Sequence, residues 1–306
     1  MPPQPSIAVV GSGSVGCYYG ARLALKNDVA FLMRRDLASV REKGLMVHSI
    51  AGDFHLDEVR AFATTAEIGP VDLVVIALKT TANGSLPDLV APLLKNGTIL
   101  LTLQNGLGNE DFLHTAFPGH PVLGGLCFVC INRGAPGVIH HLAHGRVEMG
   151  EFTATGAIAT AAALFNGAGL DCHILPDLGL ARWRKLIWNV PFNGLAIAAG
   201  GIDTQQILAR PELLARTRAL MHEIVTIAAA LGHFIDPAFA EGNLRGTREM
   251  GPYRPSSLID FLAGNAVEVE AIWGEPLRRA RNCGVAAPEL EKLYFEICRA
   301  TGYGAV

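Results

Sequence analysis

The chain has 306 residues, half of them hydrophobic, with 25 basic and 28 acidic side chains and a net charge of −3. That length buries a large core and points to two domains, and the slightly acidic balance excludes nucleic acid and anionic membrane surfaces as partners. No apolar run reaches the roughly 18 residues of a membrane span, and Met1-Pro-Pro-Gln-Pro-Ser6 lacks the basic and apolar regions of a secretory leader, so a cytoplasmic protein is expected.

Ile7 to Val10 is a short apolar run, read as a strand, and Gly11-Ser-Gly-Ser-Val-Gly16 follows at once. Cys17 to Lys26 then reads as a helix. A strand, a G-x-G-x-x-G loop and a helix form the context that dinucleotide binding demands. Gly11 allows the tight turn, Gly13 lets backbone approach a pyrophosphate, and Gly16 lets the helix pack on the strand. With Ser12, Ser14 and Val15 they form a loop whose unpaired N–H groups suit phosphates. The second strand, Val29 to Met33, ends in Arg34-Arg35. An acid there would accept from a ribose 2′-hydroxyl, whereas a guanidinium suits a 2′-phosphate. Arg34 comes directly off the strand, so NADP(H) is the expected cofactor.

Further strands are read at Val71–Leu78, Thr98–Leu103 and Val122–Ile131, between helical stretches, which implies a mostly parallel sheet covered by helices. Val138–His141 and Arg146–Gly150 read as a short hairpin at the sheet's edge. Thr155–Ala168 reads as a helix and Leu170–Leu175 as a last strand. Within Val122–Ile131, Cys127 and Cys130 point to opposite faces and read as core thiols. His140, His141 and His144 have no acidic or thiol partner at suitable spacing, so no metal is expected. From Leu178 the pattern turns helical: 179–199, 211–231, 257–282 and 288–300. The fold expected is α/β: an N-terminal Rossmann-type doubly wound sheet, residues 1–177, and a C-terminal all-helical domain, 178–306, with Pro176–Gly179 as the hinge.

Ligands of open parallel sheets bind beyond the carboxyl ends of the strands. Lys79 falls there after Val71–Leu78, and Gln104-Asn105-Gly106 after Thr98–Leu103. Lys79 can meet a phosphate or carboxylate, and Asn105 a ribose or carboxamide. The plainer alternatives are a solvated loop lysine and a turn asparagine. In the helical half, Lys185, Asn189 and Asn193 recur every four residues and share one face of a helix. Their neighbours Leu186, Ile187, Trp188, Val190 and Phe192 are apolar, so this polar stripe crosses a buried surface and needs partners, which a small polar ligand would supply. A lysine at the core margin with two capping asparagines is the alternative. Ser256-Ser-Leu-Ile-Asp260 is read as opening a helix that continues through Val267–Gly274. Glu268 and Glu270 then lie roughly 200° apart, so only one faces a cleft.

Taken in order, these blocks resemble the ketopantoate reductase family (2-dehydropantoate 2-reductases) over the whole chain. The likeness rests on Gly11–Gly16, Lys79, Gln104-Asn-Gly106, Pro136-Gly137, the Lys185, Asn189 and Asn193 spacing, Ser256–Asp260 and Glu268–Gly274. It implies NADPH-dependent reduction of a small 2-oxo acid, ketopantoate to pantoate in pantothenate biosynthesis, by a monomer or homodimer. It implies Lys185 as proton donor with Glu268 as its catalytic partner, and Asn189, Asn193 and Ser256 with Lys185 as substrate ligands. Lys79, Asn105 and Glu268 would attend the cofactor and cleft. By the same likeness the helical half looks similar to the C-terminal domain of 6-phosphogluconate dehydrogenases. A same-fold 2-hydroxy-acid dehydrogenase with a bulkier substrate stays open, as does a non-catalytic nucleotide sensor. The chain departs from the family pattern at Asp203, where many relatives carry asparagine. Trp188, Phe192 and Trp273 are bulky enough to reshape a pocket.

Overall fold

The computed structural model describes residues 4–304, so the reading of residues 1–6 rests partly on residues outside that range. The chain divides into a sheet unit, Met1–Gln104 with Asn109–Leu178, and a helical unit, Asn105–Gly108 with Gly179–Val306. The short segment Asn105–Gly108, expected with the nucleotide-binding half, therefore groups with the helices.

The sheet unit holds strands β1 (Ser6–Val10), β2 (Asp28–Leu32), β3 (Leu45–Ser49), β4 (Phe54–Leu56), β5 (Arg60–Phe62), β6 (Leu73–Ile76), β7 (Ile99–Thr102), β8 (Val122–Arg133), β9 (Val138–Glu151) and β10 (Cys172–Ile174). Its helices are α1 (Ser14–Ala24), α2 (Leu37–Lys43), α3 (Thr65–Ile68), α4 (Leu86–Val90), α5 (Asn109–Ala116) and α6 (Ala157–Gly167). The strand order is β4-β3-β9-β8-β7-β6-β1-β2-β5, with β10 also on β9. From β5 to β8 the strands are parallel and run in the doubly wound order, with the switch between β1 and β6. Alternation decides which side chains go where. In β1, Ile7 and Val9 enter one core with Tyr19 and Phe31, while Ala8 and Val10 enter the other with Ile76, Leu86 and Leu113. Strands covered on both faces read as continuous apolar runs, and each fully buried side chain of this size contributes about 1.5–3 kcal/mol.

The expected edge hairpin at 138–150 is one strand, β9, antiparallel to β8, with β3 and β10 on its far side. It looks interrupted in sequence because two register shifts insert residues: Val129 pairs with His144 and Phe128 with Arg146, leaving Gly145 extra. His144 and Gly145 both take positive φ, +63° and +125°, the geometry of a bulge. Strands β3, β4 and β5 were also missed, being short and poor in apolar alternation.

The helical unit contains α7 (Leu178–Ala198), α8 (Thr204–Ala209), α9 (Pro211–Ala230), α10 (Pro237–Glu249), α11 (Ser256–Leu262), a π-turn at Glu270–Gly274, α12 (Glu275–Asn282) and α13 (Pro288–Thr301). The continuous helix expected over 257–282 does not form. Gly264 takes φ +68°, its N–H bonds to the Phe261 carbonyl, and the Asn265 N–H reaches back to Asp260 at 2.9 Å. Those paired bonds close α11 with a left-handed residue, and residues 265–268 are non-helical. Glu268 therefore precedes the next helix instead of sharing one with Glu270. Gly264→Ala should lower stability by roughly 1 kcal/mol, the cost of left-handed backbone for an L-residue. Denaturant unfolding with an unchanged m-value is the check.

Candidate functional site

Close packing dictates two of the loop glycines. At Gly11, with φ +108°, an added Cβ would lie 2.3 Å from the Leu78 nitrogen; at Gly16 it would lie 2.1 Å from the Gly11 oxygen. At Gly13 no atom lies within 4 Å of that position, so this residue borders open space. Gly13 is the N-cap of α1, whose first turn has no capping side chain and no acid. The first N–H groups of α1 and the positive end of its dipole thus suit a phosphate, and a dinucleotide's pyrophosphate fits this cradle. Ser12 and Ser14 are half-buried, as is Val15, which packs beside the core. Ser12 Oγ donates to the Leu32 carbonyl at 2.7 Å and so pins the loop to the end of β2. Burial pushes the Cys17 thiol up to about 12, leaving it a protonated donor to the Ser12 carbonyl at 3.3 Å.

Arg34 and Arg35 lie just past β2 and are exposed. Lys79 follows β6 and precedes a 3₁₀ turn at Thr80–Ser85. Its backbone is set by a residue to which no role had been assigned. Gln104, buried at the end of β7, donates from Nε2 to the Leu78 carbonyl at 2.9 Å and to Asn83 Oδ1 at 2.8 Å. Asn83 in turn donates to Asn109 Oδ1 at 3.1 Å. This chain of amides fixes the ends of β6 and β7 against each other.

In the helical unit, three hydrogen bonds between different elements gather the remaining candidates. Asn193 Oδ1 accepts the Ser257 N–H at 2.9 Å, while its Nδ2 donates to the Asn189 carbonyl at 3.1 Å. With 1% exposure, Asn193 acts as a surrogate cap for α11, whose own N-cap is Pro255. It thereby places the exposed Ser256 beside α7. Trp273 Nε1 donates to the Val190 carbonyl at 2.9 Å, tying the π-turn to α7. Gly194 permits that approach, because a Cβ there would meet the indole nitrogen at 2.8 Å. The third bond runs from the Leu107 N–H to the Ala271 carbonyl, 2.8 Å.

That third bond exists because of the π-turn. The Glu275 N–H bonds five residues back, to Glu270. The same register would pair the Ala271 carbonyl with residue 276, but Pro276 has no N–H to give. The vacant carbonyl takes the Leu107 N–H instead. Gly106, with φ +83°, makes room: its Cβ would lie 2.2 Å from the Ala271 oxygen. So Lys185, Asn189, Asn193, Ser256, Glu268 and Asn105 stand on elements joined by these bonds. Lys185, Asn105 and Glu268 are half-buried. Asn189 is 8% exposed, and its side-chain amide has no hydrogen-bond partner among the described residues.

The other residues singled out in the sequence have structural work. Asp203 caps α8 by accepting the Gln206 N–H at 2.8 Å, and Gln206 returns the bond to the Asp203 N–H at 3.0 Å. Trp188 donates to Thr247 Oγ1 at 2.9 Å and packs on Phe192 and Tyr253. Glu270 accepts the Tyr294 hydroxyl at 2.6 Å, and burial together with that carboxylate raises the tyrosine's pKa. The six cysteines are free, and no group of three metal-ligating side chains forms among the described residues. No helix among them is long and apolar enough to cross a membrane.

Residues 7–154 match the family described as "Ketopantoate reductase PanE/ApbA", and residues 177–298 match its C-terminal counterpart. The chain belongs to this family. The ketopantoate reductases are NAD(P)-dependent oxidoreductases. A 2-dehydropantoate 2-reductase of Nostoc sp. is 39% identical over 298 residues, covering 95% of this chain and 93% of that protein. A crystal structure of 2-dehydropantoate 2-reductase from Geobacter metallireducens superposes with a TM-score of 0.92 at 44% identity, covering 97% of this chain and all of that one. The corresponding structure from Methylococcus capsulatus gives 0.87 at 35% identity, covering 95% and 94%.

Within this family fold the two asparagines of the stripe should behave differently. Asn193→Ala leaves a buried Ser257 N–H unpaired and should lower stability by about 1–3 kcal/mol. Asn189→Ala removes no protein hydrogen bond, so its melting temperature should stay within about 2 °C of the parent. Equal losses for both would show that the Asn193–Ser257 bond is not what anchors α11. Gly106→Ala should abolish slow hydrogen exchange of the Leu107 amide, since its Cβ and the Ala271 oxygen cannot both keep their places. Retained protection would contradict the clamp.

Proposed function

We propose that the protein is an NADPH-dependent 2-dehydropantoate 2-reductase, reducing ketopantoate to pantoate in pantothenate biosynthesis. The observation that carries this reading is the α7 stripe. It combines a half-buried lysine with an almost wholly buried asparagine whose amide has no protein partner among the described residues. An amide of that kind at the edge of the core suits a polar ligand, and the relatives named above support the substrate class.

Bound NADPH supplies a hydride to the carbonyl carbon of the substrate. The oxygen that gains negative charge needs a proton and a positive neighbour, and the Lys185 ammonium meets both needs. Glu268 is assigned to orient Lys185 and hold its charged form. Asn189 and Ser256 grip the carboxylate and hydroxyl without adding charge. Asn193 serves the substrate mainly through Ser256, because its own amide is engaged at the start of α11. Gly11–Gly16 cradle the pyrophosphate, Arg34 reads the 2′-phosphate, and Lys79 and Asn105 attend the rest of the cofactor.

Lys185→Ala should reduce kcat by roughly 10²–10⁴, the range for a positioned general acid. NADPH affinity, measured by titration, should be nearly intact. The assay follows NADPH oxidation over a panel of 2-oxo acids differing in side-chain bulk, with ketopantoate expected to give the highest kcat/KM. Near-normal turnover of Lys185→Ala on the best substrate would remove Lys185 from the mechanism. Preference for another 2-oxo acid would remove ketopantoate but leave the reaction class standing.

A further inference from the structure

The chain carries an acid close to the end of β2, and the structure shows it engaged within the protein. Asp36 is the third residue after Met33 and is 9% exposed. Its Oδ2 accepts from Arg133 in an ion pair and from the Gly137 N–H at 3.3 Å. Its Oδ1 is buried and has no hydrogen-bond partner among the described residues. Arg133 comes from the far end of β8, brought here because β8 outruns its parallel neighbour and pairs with β9 to its last residue. Its second guanidinium nitrogen donates to the Ser12 carbonyl at 3.4 Å. Ser12 in turn is bonded to Leu32, the last residue of β2. One guanidinium thus bridges the glycine loop and the acid after β2, the two places between which an adenosine ribose is held in this fold.

We propose that Arg133 is a cofactor-specificity residue that acts with Asp36 to favour NADPH over NADH. This rests on the NADPH reading above. Arg133 does two things at once. It neutralises a carboxylate that follows β2, where a ribose 2′-hydroxyl would be read, and it adds a second guanidinium beside Ser12 for a 2′-phosphate, joining Arg34. Asp36 is the positioning partner: buried and charged, it holds a long side chain that would otherwise sample many rotamers.

The test is equilibrium titration of NADPH and NADH, by quenching of protein fluorescence, for the parent, Arg133→Ala, Arg133→Gln and the double variant Arg133→Ala/Asp36→Asn. The parent should bind NADPH more tightly. Arg133→Ala should weaken NADPH by about tenfold or more, the scale of one charge-assisted bond. It should leave NADH unchanged or tighter, because Asp36 is uncovered. Arg133→Gln keeps neutral donors for Asp36 and Ser12, and should show the same loss for NADPH with less disturbance of the fold. Any gain for NADH should vanish in the double variant, where no acid remains. If Arg133→Ala and Arg133→Gln weaken both cofactors by the same factor, the pair is only a structural tie between β8 and the start of α2, and the proposal is wrong. Equal affinity of the parent for the two cofactors would instead overturn the NADPH reading itself.

Discussion

The carbonyl oxygen of Ala271 is the constraint on which much of the helical unit turns. A π-turn advances the hydrogen-bond register by one residue, and Pro276 then leaves that oxygen without a helical donor. A buried carbonyl is rarely left unpaired. The donor that satisfies it belongs to Leu107, far away in sequence. The consequence is that a four-residue loop, Asn105–Gly108, groups with the helical unit, although the elements it connects, β7 and α5, belong to the sheet unit. Asn105 is thereby placed by the same π-turn that follows Glu268.

The buried stripe on α7 obeys the same rule of satisfaction. Asn193 resolves its burial internally by capping α11, and Trp273 finds the Val190 carbonyl. Asn189 does not resolve it within the described residues. Three polar residues at equal spacing therefore end in unlike settings: Asn193 anchors a neighbouring helix, Asn189 accepts from Asn193 through its carbonyl, and Lys185 lies half-buried at the core margin. Their shared helix face explains why they look alike in sequence; their neighbours explain why they differ.

In the sheet unit, charge is managed by distance in sequence. Arg133 covers Asp36 only because β8 is long enough to run past β7 and pair fully with β9. The same extension lets β9 shelter α1, whose Tyr18, Tyr19 and Leu23 share a core with Leu45, Val47, Ile139 and Met149. The bulges at Leu142 and Gly145 belong to this arrangement, since added residues bend a strand and increase its twist.

Much of the protein was legible in order along the chain. The apolar runs of β1, β6 and β7, the glycine loop and the every-fourth-residue spacing in α7 are local patterns, and local patterns follow from backbone geometry and side-chain period. The family resemblance rested on the glycine loop and that spacing, with Lys79, Gln104–Gly106, Pro136-Gly137, Ser256–Asp260 and Glu268–Gly274. What failed to read was whatever depends on a partner outside the window. The break at Gly264 was hidden in an apolar periodicity that continued beyond it, the two halves of β9 were divided by bulged residues, and β3 to β5 were too short to signal themselves. Arg133 on Asp36, Gln104 on the Leu78 carbonyl and Leu107 on Ala271 pair groups with separations of 26 to 164 residues. Periodicity determined which faces are buried; only the tertiary structure decided which buried polar groups meet, because a hydrogen bond depends on positions in space that no spacing along one element contains.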